Sequence, residues 1–261
     1  MEVILYDEGV TSALDIEGIA EYLKHKTGRV MTKIKGNPFS YYLTRDIISD
    51  YARKIAGTKI QDTGKRASTE QNSLYGEIAY EKRRITGETN SFGILYDGFL
   101  LQRLFTNILP RESHTLKTAH IIFTNRLFGT WDDGNKRYHI RTSLYGIPSV
   151  ISTSGLVEAP AKPREYYLLK QQYDRLGKGS IELNEKFRGS FIDYEDKRLT
   201  EVAKGYVMQA IFYYLNGEPF CEDKGCRLYN AHWQEELVFA QIESEYEFCP
   251  RHTRLLKEKL S

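Results

Sequence analysis

The stretch FCEDKGCRLYNAHWQEELVFAQIESEYEFCPRH, Phe220 to His252, contains all three cysteines of a 261-residue chain. They follow the pattern Cys221-x4-Cys226-x22-Cys249-x2-His252, two close pairs of soft donors separated by enough chain for a helix. Thiolate sulfur and imidazole nitrogen suit zinc, and a structural zinc site closes its tetrahedron with four such ligands, leaving no position for substrate. Turn chemistry accompanies each pair, with Gly225 in the first and Pro250 in the second. Three thiolates on one divalent ion leave a net negative centre. Lys224, Arg227, Arg251 and Arg254 lie around it in sequence and are expected to offset that charge. The competing reading is three inert, buried cysteines and a surface His252. Paired spacing that uses every cysteine favours one structural zinc ion on Cys221, Cys226, Cys249 and His252, clamping the last helix onto the preceding one. Such sites supply about 10 kcal/mol or more of folding free energy in small peptides.

The composition excludes several classes. Hydrophobic content of 41% and charged content of 28% are those of an ordinary globular chain, long enough to bury a sizeable core. A net charge of +2 implies no general attraction to nucleic acid or to an anionic membrane. No apolar run is long enough to cross a bilayer, and the opening MEVILYDEGVTSALDIEG has neither signal-peptide nor transit-peptide character. An odd number of cysteines argues against a secreted disulfide framework, so a cytoplasmic location is expected.

Hydrophobic periodicity gives an α/β order. Val3–Tyr6 reads as a strand, Asp15–Thr27 as an amphipathic helix stopped at Gly28, Val30–Ile34 as a second strand, and the segment ending at Gly57 as another helix. The polar stretch 64–73 reads as a loop, and 77–94 as a hairpin turning at Gly87, with Lys82, Arg83 and Arg84 on a solvated face. A helix over Asp97–Leu109 and a buried strand over Ala119–Asn125 follow. WDDGN makes a turn into a strand that alternates Tyr138, Ile140, Thr142 and Leu144 against His139, Arg141 and Ser143. Ser149–Thr153 reads as a strand, Tyr167–Leu176 as a helix, and Leu199–Leu215 as a strongly apolar helix stopped at Asn216–Gly217.

Over roughly Ala203 to Leu256 the chain resembles the archaemetzincins, small zinc peptidase-like proteins of the metzincin type. That family carries a HExxHxxGxxH helix, a Cys directly after its last His, then Cys-x4-Cys and a final FCxxC. Cys221-x4-Cys226 and Phe248-Cys249-Pro250-Arg251-His252 match, with His252 in place of the last Cys and Leu228 where the family has a Met. Counting back from Cys221 puts the peptidase ligand positions on Ala210, Tyr214 and Phe220 and the general-base position on Ile211; only Gly217 survives. Zinc needs lone-pair donors there and its bound water needs a carboxylate to take the proton. The resemblance therefore implies a metzincin-like mixed sheet packed with helices, the C-terminal helices tied by structural zinc, and a lost peptidase centre. It implies a single domain over 1–261, with a strand and helix part (1–115), a strand part (116–198) and a zinc-stapled helical part (199–261).

Other candidates compete with plainer readings. His232 precedes Glu235 and Glu236 by three and four residues, which on a helix capped by Asn230 gives either a rebuilt metal or acid–base site or an ordinary cap and ion pair. His139 and Arg141 share a strand face that is able to meet a ligand. Asp132 and Asp133 suit a cation or, more simply, the turn they sit in. The reading favoured is a non-catalytic pseudopeptidase that binds a peptide or protein in a former substrate cleft. The alternative is a metal-dependent hydrolase using His232, Glu235, Glu236 and His139. A nucleic-acid or membrane partner is not expected.

Overall fold

The computed structural model describes residues 1–9, 11–67, 73–89, 93–177 and 180–260. Strand β1 (Glu2–Asp7), helix α1 (Ile16–Thr27) and strand β2 (Met31–Lys35) open the chain. Helices α2 (Pro38–Tyr42), α3 (Arg45–Ala56) and α4 (Tyr75–Ile85) follow, then β3 (Leu95–Asp97) and α5 (Gly98–Ile108). Strands β4 (Thr118–Thr124), β5 (Leu127–Asp132), β6 (Arg137–Arg141), β7 (Ser143–Leu144) and β8 (Ser149–Ser152) form the middle. The remainder is helical: α6 (Thr153–Glu158), α7 (Arg164–Arg175), α8 (Ser180–Lys186), α9 (Leu199–Asn216), α10 (Gln234–Val238) and α11 (Pro250–Leu260).

The main sheet has the order β2-β1-β4-β8-β7, parallel except for its last strand. β1 pairs with β4 from Glu2↔Thr118 to Asp7↔Phe123, and β7 runs antiparallel to β8 through Ser143↔Ile151 and Leu144↔Val150. A smaller sheet, β3-β5-β6, joins it where the chain passes from β6 into β7. Parallel strands covered on both faces read as continuous apolar runs, and the period of two divides those runs between two cores. Val3, Leu5, Ile121 and Phe123 face α1 and α9, whereas Ile4, Tyr6 and Ile122 face α2 to α5. α9 is apolar on nearly every side because α1, the sheet and the C-terminal segment surround it.

Caps fix the ends that matter. The Asp15 side chain accepts from Gly18 N–H (2.9 Å) at the start of α1, and Asp97 accepts from Leu100 N–H (3.0 Å) at the start of α5. Gly217, at φ +79°, closes α9 by donating its N–H to Tyr213 O (2.8 Å) and turns the chain toward the cysteines.

Two expectations are corrected. The segment 77–94, expected as a hairpin, enters α4 instead, and Arg84 is buried rather than on a solvated face. The buried side of α4 consists of Glu81, Arg84 and Ile85, so the stripe that marks a helix is mostly charged. Glu81 and Glu8 both bind the fully buried Arg126 in the β4–β5 turn. Tyr96 OH donates to Glu81 (2.7 Å), and Lys59 lies 3.5 Å from it. The helix that was expected to begin at Asn230 begins at Gln234, with Trp233 as its N-cap residue. Of the loop expected over 64–73, residues 68–72 lie outside the described residues, as do 90–92 of the expected hairpin.

Candidate metal centre and the cleft beside it

After Gly217 the chain folds a tight loop: Cys221 N–H donates to Leu228 O (2.9 Å), Cys226 N–H to Asp223 O (3.0 Å) and Tyr229 N–H to Cys226 O (2.8 Å). The loop packs so closely on Tyr246 that a Cβ on Gly225 would sit 2.5 Å from the phenol oxygen. Cys249 immediately precedes α11 and His252 lies in its first turn, so the i, i+3 spacing brings them to one side. The four donors converge. Cys221 Sγ is 3.9 Å from Cys249 Sγ, and His252 Nδ1 is 3.6 Å from Cys226 Sγ and 3.1 Å from Cys249 Sγ. All four ligand atoms lie within 4.8 Å of one another. Bonds of about 2.3 Å to sulfur at tetrahedral angles imply S···S edges of about 3.8 Å. The residues present therefore fit a zinc ion.

Cys226, Cys249 and His252 are buried. Burial pushes the Cys226 thiol up to about 12, against the pull of backbone hydrogen bonds from Cys249 and Leu228. Burial, and then the charge of Arg251, lowers the pKa of His252. Both shifts favour a neutral imidazole and make thiolates costly unless a cation takes their charge. The neighbouring basic residues do not serve that purpose, contrary to expectation. Lys224 pairs with Glu236 (3.3 Å), Arg251 with Glu218 (2.9 Å) and Arg254 with Glu258 (4.0 Å). Arg227 points toward α1 and α9, where it binds Glu201 and Glu247.

The positions that the sequence resemblance assigns to a peptidase zinc do not fit one. Ala210 and Ile211 are fully buried in the core and carry no donor atom. Tyr214 is buried and its OH donates to Gly146 O (2.8 Å). Phe220 packs edge-on against Tyr145, ring centroids 5.8 Å apart, and offers only a phenyl ring.

Next to these residues lies a cleft of about 400 Å³, bounded by β6, β7, the end of α9 and the loop before α10. Phe99, Arg141, Tyr213, Phe220 and His232 line it. His232 is thus at the cleft, but the rest of its expected constellation is not assembled around it. The Glu236 carboxylate accepts from the backbone N–H groups of His232 (3.1 Å) and Trp233 (3.3 Å), a capping role. Burial opposes ionisation of Glu236, yet the His232 N–H and Lys224 hold its carboxyl below the ordinary range, the wrong direction for a proton-accepting base. Glu235 is exposed, and His139 pairs with Asp132 (3.2 Å). Among the described residues His232, Glu235, Glu236 and His139 form no group able to hold a metal; the cysteine–histidine cluster does. Asp132 serves the turn, accepting from the N–H groups of Gly134 (2.8 Å) and Asn135 (3.2 Å).

Phe99 and Tyr213 reach the cleft through tertiary packing, which no local sequence signal shows. His120 is equally silent in the sequence, a histidine wholly buried in an apolar strand between Tyr6 OH (3.0 Å) and Ser113 Oγ (2.9 Å).

A family model described as "Probable metallopeptidase family" matches residues 1–259. Among solved structures the chain is similar to archaemetzincin from Methanopyrus kandleri, with TM-score 0.49 and 12% identity over 100% of this chain and 95% of that one. It is also similar to a zinc-dependent peptidase from Methanocorpusculum labreanum, with TM-score 0.43 and 13% identity over 98% of this chain and 99% of that one. No curated protein matches the chain.

Proposed function

The chain belongs to this probable metallopeptidase family, and we propose that within it the chain is a zinc-stapled, non-catalytic member whose cleft beside β7 takes up a peptide or protein segment. The observation that carries the reading is the distribution of donor atoms. Four sulfur and nitrogen donors close on one point, while positions 210, 211 and 220 offer only hydrocarbon and the Tyr214 hydroxyl is already bound to Gly146. A closed tetrahedron supplies folding free energy and no open coordination position. The zinc would be held by Cys221, Cys226, Cys249 and His252, fastening α11 to the loop after α9.

The edge strand supports the binding role. Ser152 N–H donates to Thr142 O (2.8 Å), so alternation along an antiparallel strand turns the backbone groups of Ser143 to the open side. An extended segment is able to add there as a further strand, its side chains entering the cleft. Metal analysis of purified protein is expected to give close to one zinc per chain, lost in Cys249→Ser, with no hydrolysis of unstructured fluorogenic peptides. Two zinc ions per chain, or a hydrolysis that copurifies with the protein and stops on chelation, would overturn the reading.

A further inference from the structure

The cleft does not end at Phe220. Its cavity and a second one of about 890 Å³ share Pro219, Phe220, Asn230 and His232, so a groove leads from β6 and β7 past the ring to the loop that carries Cys221. Its two ends differ in charge. Among the described residues Arg141 is the one Lys or Arg side chain lining the first cavity, and no carboxylate lines it. The Arg141 Nε–H donates to Thr130 Oγ1 (2.8 Å), and its Nη groups meet no acceptor among the described residues. At the far end Glu218 is taken up by Arg251 (2.9 Å) and Asp223 by Tyr246 OH (2.7 Å). Glu222 is exposed there with no partner among the described residues. Phe220, 43% exposed, lines both cavities and so stands between the two ends, and Phe99, 60% exposed, lines the first cavity with Arg141.

Resting on the peptide-binding reading above, we propose that the groove selects an extended segment with an acidic side chain at Arg141, a large apolar side chain against Phe220 and Phe99, and a basic side chain at Glu222. A guanidinium that has spent only its Nε–H keeps a fork suited to a carboxylate, and a partly walled cleft strengthens that pairing over bulk water. Exposed rings in the groove give an apolar side chain its burial.

The test is selection of random dodecapeptides displayed on phage against the full, zinc-loaded chain. It is followed by fluorescence anisotropy with labelled, N-acetylated and C-amidated copies of the strongest peptide. The selected peptides are expected to place Asp or Glu and Lys or Arg on opposite sides of an aromatic or branched residue. Replacing that Glu by Gln should weaken binding to the wild type about tenfold, and by less than about twofold in Arg141→Gln, since only the wild type forms the charge-assisted pair. The double variant Arg141→Glu with Glu222→Lys should prefer the charge-swapped peptide, and thermal melts establish that both variants are folded. Cleft-bound peptides without a carboxylate, an unchanged affinity on Glu→Gln, or binding only with a free C-terminus overturn this proposal while leaving the cleft reading intact. If no peptide is enriched, or Phe220→Arg binds the enriched ones as the wild type does, the cleft reading falls and this proposal with it.

Discussion

His120 shows how one buried side chain sets a pH dependence far from the zinc centre. It lies in β4 with no exposed surface, hydrogen-bonded to Tyr6 and Ser113, and Tyr6 continues the chain of contacts to Tyr42 (2.9 Å) and Lys35 (2.9 Å). Burial lowers its pKa to about 4, and the nearby charges of His114 and Lys35 act in the same direction. The unfolded chain therefore takes up a proton near pH 6.5 that the folded chain refuses until about pH 4. Stability that is present above pH 6.5 is lost as the pH falls through that window, by up to about 1.4 kcal/mol per pH unit. Urea unfolding of the wild type and His120→Gln at intervals from pH 4 to 7 should give curves that converge toward the acid end. Curves that stay parallel would mean that His120 takes up its proton at the same pH in the folded and the unfolded chain. Glu81 responds at lower pH. Burial works against its ionisation, but Arg126, Tyr96 and Lys59 hold its pKa below 4.5, so the stability it adds goes only as the pH falls beneath that value.

At the scale of the element, α11 is expected to depend on a metal at Cys249 and His252 more than on its own sequence. Its buried residues are His252, Leu256 and Leu260, a narrow stripe on a helix that carries Arg251, Arg254, Lys257 and Lys259. Few isolated helices of this length are stable in water, so docking through Cys249 and His252 is expected to decide whether it forms. His252→Cys should keep one zinc and nearly all of the helical signal, because a fourth thiolate closes the same tetrahedron. His252→Ala should lose zinc and shed helix, read by metal analysis together with circular dichroism. Equal helicity in the two variants would show that packing alone holds α11. This element was legible in the sequence because ligand type and spacing are local facts, as were the stops of α1 at Gly28 and of α9 at Gly217. α4 was not legible, since Glu81 and Arg84 satisfy their charges on Arg126, Tyr96 and Asn125, partners remote in sequence. The cleft was half legible. Arg141 and His232 stand out by residue type, whereas nothing local marks Phe99 and Tyr213 apart from the other rings of the chain, and α10 begins too late for His232 to share its face with Glu235 and Glu236.

Across the whole molecule, two cores lie on opposite faces of the main sheet, and the metal centre belongs to only one of them. The covalent crossings between faces are joined by the ion network of Glu8, Arg126 and Glu81, which links the end of β1, the β4–β5 turn and α4. Truncating the central cation leaves two carboxylates buried without it, a loss of about 3–5 kcal/mol for a buried pair broken on one side. We propose that residues 1–261 unfold as one domain, and Arg126→Met separates that from the alternative of two independent layers. In one cooperative domain the substitution lowers the temperature of zinc release, followed with a chromogenic chelator, by the same amount as the midpoint of secondary-structure loss. In two layers, zinc release stays at its wild-type temperature while part of the helical signal melts early. Coincident midpoints in both proteins are the expected outcome, because β1 and β4 give alternate side chains to both cores and neither face is able to lose its strands alone.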